Sequence, residues 1–121
     1  MAQTLTVQAS IAENSATGGG FAGTRSLAVT TTGDAKYELK GYVNTTEEEW
    51  TITTEITDAG YCVVTNFDAT NYVQVGFATT VYNIRLKAGQ SAVFPLEPAT
   101  ASLFLKANTA PCVVRLTVYE A

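Results

Sequence analysis

Residues 4–12 alternate without a break. Leu5, Val7, Ala9 and Ile11 fall on one side of an extended chain, and Thr4, Thr6, Gln8 and Ser10 on the other. A period of two marks a half-buried strand. It recurs along the chain in short threonine-rich runs broken by glycine, asparagine and proline, and no segment sustains a helical period with caps. A run at 26–31 ends at Gly33-Asp34, and 36–46 alternates through Tyr37, Leu39 and Val43, with Gly41 a possible bulge. The run 50–57 places Trp50, Ile52 and Ile56 on one face, and Asp58-Ala59-Gly60 reads as a turn. Six further runs follow at 61–67, 71–77, 81–87, 92–96, 103–107 and 112–119, separated by turns such as Lys87-Ala88-Gly89-Gln90 and Asn108-Thr109-Ala110-Pro111. Strands recurring about every ten residues predict an all-β fold, an antiparallel β-sandwich of jelly-roll type with about eight to ten strands.

The 121 residues fit a single domain spanning 1–121, in which 1–25 form an N-terminal strand plus a glycine-rich flexible loop. A chain of this length buries roughly two-thirds of its unfolded surface, enough to fold without a metal or disulfide. Only 15% of the residues are charged, against roughly 25% in an average globular protein. Either the surface is covered in the working state, or the outward faces carry Thr and Ser in place of Lys and Glu. The net charge is −4, and the cations Arg25, Lys36, Lys40, Arg85, Lys87, Lys106 and Arg115 form no basic stripe of the kind that meets phosphate. The acidic balance argues against an anionic membrane surface as well. No apolar run approaches the ~20 residues that span a bilayer. Met1-Ala2-Gln3-Thr4 lacks the basic-then-apolar layout of a signal peptide, so the expectation is a chain kept in a cytoplasm or carried out of it in a particle.

Catalytic patterns are missing from the sequence. It has no histidine to serve as the base of a Ser/His/Asp or Cys/His system, and its acids lie singly or in turns rather than as a spaced pair. Gly18-Gly19-Gly20 is not followed by the Lys-Ser/Thr of a phosphate loop. Cys62 and Cys112 stand far apart without zinc-ligand spacing; they read as reduced, buried thiols or as a disulfide tying two strands. Glu47-Glu48-Glu49 supplies hard oxygens, but successive residues of an extended chain alternate faces, so a solvated turn is the better reading than a cation site. The expectation is a non-enzymatic chain with no cofactor and no metal.

Binding candidates come from the first 25 residues. The strand 4–12 is followed by a stretch carrying Gly18-Gly19-Gly20 and the lone aromatic Phe21. This is either a plain flexible connection or a hinge that lets the first strand pair with a neighbouring subunit. In the second case Leu5, Val7 and Ile11 are the buried anchors, and Phe21 docks nearby. Tyr37, Tyr42, Trp50, Tyr61, Tyr72, Tyr82 and Tyr119 suit cross-strand packing, protein contact or stacking on sugar rings.

The second half carries a resemblance. Asn66-Phe67-Asp68-Ala69-Thr70-Asn71-Tyr72 within 64–76 is followed by Lys87-Ala88-Gly89-Gln90 and a proline-bearing strand through Pro95. Then come Leu103-Phe104-Leu105-Lys106-Ala107 and a terminal strand. This order over 60–121 resembles small β-sandwich virion proteins of tailed bacteriophages. The resemblance implies a structural role in the particle, most simply a capsid decoration (cement) protein that binds and stabilises the major capsid shell as a homotrimer. A head–tail or tail component is the near alternative. It implies no catalytic residues, and its partners are the major capsid protein or other virion proteins, with no nucleic acid and no membrane. A carbohydrate- or receptor-binding β-sandwich is the alternative from a different class.

Overall fold

A computed structural model describes residues 3–12, 22–31 and 35–121, and among them every regular element is a strand. The first two, β1 (Gln3–Ala12) and β2 (Ala22–Thr31), are followed by β3 (Lys36–Val43), β4 (Glu48–Thr51) and β5 (Ala59–Asn66). Then come β6 (Val73–Gly76), β7 (Ile84–Leu86), β8 (Ser91–Pro95), β9 (Ser102–Ala107) and β10 (Cys112–Glu120). Strands β3 to β10 build two four-stranded antiparallel sheets, ordered β3-β10-β5-β8 and β4-β9-β6-β7. Their inner faces share one core, the arrangement of a β-sandwich. Strands β1 and β2 form a separate antiparallel ribbon in which Gln3 pairs with Thr31 and Ala12 with Ala22.

The core follows from the pleat. Alternate residues of each strand face inward, so Val43, Cys62, Val64, Val114, Leu116 and Val118 of the first sheet meet Val73, Val75, Leu103, Leu105 and Trp50 of the second. Strand ends differ from the sequence reading where longer-range bonds take over. Strand β4 stops at Thr51; Ile52 N–H donates to Ala101 C=O and Ile56 N–H to Thr53 C=O, so a turn rather than strand alternation buries Ile52 and Ile56. Ala59 and Gly60 belong to β5 instead of a turn, and β2 begins at Ala22, inside the stretch read as glycine-rich loop. Gly41 lies opposite Val114 in unbroken register, so it makes no bulge; the irregularity falls at Tyr119/Glu120.

Cys62 and Cys112 are both buried free thiols. Cys62 pairs with Val118, six residues along β10 from Cys112, which at about 3.4 Å per residue is far beyond disulfide reach. Burial pushes the Cys62 thiol up to about 12, and burial, then Asp68, raises Cys112. Both act as small hydrophobes.

Asn66, at the end of β5, is the fully buried polar side chain of the core. Its amide nitrogen donates to the carbonyls of Asn71, Leu86 and Lys87, and its Oδ1 accepts from Asp68 N–H. Asp68 in turn accepts from the N–H groups of Thr70 and Asn71, which hold its carboxyl below the ordinary value. One side chain thus ties β5 to the following loop and to β7. Asn66→Ala leaves the buried Leu86 carbonyl and the part-buried Asn71 and Lys87 carbonyls without this donor, and a buried polar group left unpaired costs about 1–3 kcal/mol. The expected loss is about 2–4 kcal/mol, read as a lower urea midpoint at unchanged slope.

Candidate interaction site

The outer face of the sheet β3-β10-β5-β8 is ordered into cross-strand rows by the register. Lys36, Tyr119, Tyr61 and Pro95 form one row; Glu38, Thr117, Val63 and Val93 the next; Lys40, Arg115, Thr65 and Ser91 the third. Apolar side chains concentrate on β10, β5 and β8 in the first two rows. Charge and hydrogen bonding take over in the third, where Thr65 and Ser91 hydroxyls lie 2.8 Å apart.

Strand β1 lies over the apolar rows. Leu5 and Val7 are half-buried while Thr4, Thr6 and Gln8 are exposed. The segment from Leu5 to Gln8 lines one side of a groove of about 350 Å³ whose other side is Tyr61, Val63, Val93 and Tyr119. The cover is partial. Thr117, on an outer row, is 8% exposed, whereas Val93 in the same row remains 49% exposed.

At the other end of this face the chemistry changes. Phe67 is flanked by the Lys40 ammonium 5.2 Å and the Arg115 guanidinium 5.3 Å from its ring centroid, and Arg115 lies 3.7 Å from Glu38. Tyr42 beside them is 68% exposed. Cations over an aromatic face are attracted by the ring quadrupole, here weakly because the site is wet.

Of the four residues singled out from sequence, Leu5 and Val7 line the groove. Ile11 is in β1 opposite Gly23, with its side chain outside the described set, and Phe21 lies outside the described residues. Strand β1 pairs with β2 along all ten residues, and the glycine hinge expected at Gly18–Gly20 lies outside the described residues. Sequence reasoning offered Tyr61 and Tyr119 only within a set of seven aromatics open to packing, protein contact or sugar stacking, and it passed over Val63 and Val93. The signal for them was the run Tyr61-Cys62-Val63-Val64, apolar on both faces, which is how a strand covered on both sides reads.

The three consecutive glutamates diverge. Glu47 accepts from Thr79 Oγ1 at 2.5 Å, from Thr80 N–H at 2.7 Å and from the Tyr82 hydroxyl. Glu48 caps Asn44 N–H at 2.5 Å, and Glu49 is exposed. Glu47 therefore clamps the β6–β7 connection, where Thr80 has φ +60° and a Cβ on Gly76 would sit 1.7 Å from Val81 O. Among the described residues no group of three His, Cys, Asp or Glu could hold a metal.

The Thr79 hydroxyl, then Tyr82 and the Thr80 amide, lower the Glu47 pKa, while partial burial and the Glu47 carboxylate push Tyr82 up to about 12. A depressed carboxyl stabilises the fold above its unfolded value and loses that contribution as pH falls through the folded one. The Thr80 amide resonance should therefore titrate with a midpoint below the ordinary glutamate range, and Glu47→Gln should abolish that titration.

No protein-family model, no curated protein and no solved structure matches the chain.

Proposed function

We propose that this protein is a non-enzymatic structural component of a tailed-bacteriophage particle, of the capsid decoration (cement) type, acting as a homo-oligomer in the virion. The carrying observation is an apolar strip on the outside of a sheet with the amphipathic strand β1 of a two-stranded ribbon laid along it. A ribbon of two strands is marginal alone, and among the described residues no third strand joins it. Its edges are suited to main-chain pairing with a partner strand, and the apolar rows beneath supply the area that makes such pairing stable. Contact with the major capsid protein or another virion protein would complete the cover that β1 begins.

The strand order supports a jelly-roll reading of the sandwich. Counted from β3 to β10 as one to eight, the sheets run 1-8-3-6 and 2-7-4-5, and double-sheet jelly rolls are a recurrent architecture of viral shell domains. A second reading, a carbohydrate- or receptor-binding module, is favoured by Tyr42 and Phe67, exposed aromatics on a sheet face.

Co-sedimentation with purified shells of a phage encoding the chain separates the two. The expected outcome is saturable pelleting that Val7→Asp weakens at least about tenfold, at unchanged circular dichroism, while Tyr42→Ala leaves it intact. Absence of shell binding, together with glycan binding lost in Tyr42→Ala, would overturn the assembly reading in favour of the second.

A further inference from the structure

Among the described residues, strand β3 is the one long sheet end of the sandwich. It pairs with β10 on one side and terminates its sheet on the other, over eight residues, whereas the other sheet-end strands, β8, β4 and β7, have five, four and three. Ala35 C=O accepts from Glu120 N–H at 3.0 Å. In an extended chain main-chain groups alternate sides, so Tyr37, Leu39, Gly41 and Val43 turn theirs toward β10. Lys36, Glu38, Lys40 and Tyr42 turn theirs toward the open edge.

We infer that this edge pairs with the same edge of a second copy, antiparallel and centred on Leu39, joining two sandwiches through one continuous eight-stranded sheet. The sequence of β3 is self-complementary in that register. Glu38 meets Lys40 of the second copy and Lys40 meets its Glu38, Lys36 meets Tyr42, and Leu39 meets Leu39. These opposed pairs are favourable, and all but the axial Leu39 pair recur by the two-fold symmetry of an isologous contact. A slip of one pairing step, which keeps the inner faces aligned, sets Glu38 against Glu38 in one direction and Lys40 against Lys40 in the other. Charge thus selects one register.

Gly41 points to the same contact independently. It is strand-interior, in regular register, and a Cβ there would meet only Trp50 Cζ2, at 3.9 Å. The single chain has room for a side chain at this position, yet a strand-interior glycine weakens the strand and commonly marks close approach by another group. In the proposed register Tyr37 of the second copy lies opposite Gly41, where an aromatic ring covers the missing side chain. A blunted edge, by comparison, carries charge that opposes pairing; here the signs alternate so that pairing satisfies them.

The inference does not rest on the virion reading, because it concerns the isolated chain with no shell or glycan present. Sedimentation equilibrium of the full chain across a dilution series tests it. The native protein should reach twice the 12.8 kDa chain mass. Glu38→Lys and Lys40→Glu each oppose like charges twice and should raise the dimer dissociation constant at least about tenfold. The double exchange E38K/K40E should restore it, and an equimolar mixture of the two single variants should form a heterodimer. Both positions are exposed, and unchanged thermal unfolding at low concentration separates lost pairing from lost folding. A monomer throughout, a trimer, or a dimer indifferent to the exchange overturns the proposal.

Discussion

The register of β10 is the constraint on which the rest depends. This strand is hydrogen-bonded on both sides, to β3 and to β5, and six of its nine residues, Val114 to Tyr119, take part in both ladders. Because side chains alternate faces, a one-residue slip would send Val114, Leu116 and Val118 outward and bring Arg115 into the core. Burying that guanidinium without a partner is far costlier than the slip could repay. The same register fixes the outer rows. Tyr119 beside Tyr61, Thr117 beside Val63 and Arg115 beside Thr65 are consequences of core packing, so the outer face of this sheet is positioned by the part of the protein least free to change.

The first sheet is apolar on both faces near β5 and β8, and that asymmetry gives the ribbon its place. A sandwich needs one apolar face per sheet; a second one is a cost in water unless something lies on it. Leu5 and Val7 supply part of the cover in the same chain, while Val93 remains half-exposed beside them. The ribbon and the strip are therefore one unit. Their fit is incomplete, since Val93 stays half-exposed beside the groove that Leu5 and Val7 line.

Most of the sandwich was legible because its elements are local. Alternation and turn residues located β5 to β10 to within a few positions, since each strand is bounded by its own glycine, asparagine or proline. The misreadings share a cause. Ile52 and Ile56 keep the spacing of a strand face but are buried by a turn that Thr53 closes, and Ala59 and Gly60 read as a turn although Glu120 of β10 and the Leu96–Pro98 segment after β8 hold them extended. Ile52, Ala59 and Gly60 are placed by partners tens of residues away. The candidate site was half-legible for the same reason: Leu5 and Val7 follow from the period of β1, whereas Tyr61 and Tyr119 become neighbours only through pairing across 58 positions of sequence. Asn66 carried no advance signal, since an asparagine at a strand end reads as an ordinary turn residue until its three carbonyl partners are known.

Edges tie these observations together. A low-charge all-β chain must dispose of every sheet margin, and this one does so differently at each. Strands β4 and β7 are too short to template pairing, and β8 ends in Pro95, which has no N–H to offer. The ribbon presents its edges on an element separate from the core ladders, so a partner can add to it without disturbing them. Strand β3 is long and regular, and it is the edge whose charges answer each other. Protection and recognition use the same chemistry here: a lysine that repels a slipped or foreign strand is the one that receives Glu38 in the correct register. Specificity then comes from the spacing of two charges and a glycine along eight residues, with no pocket required.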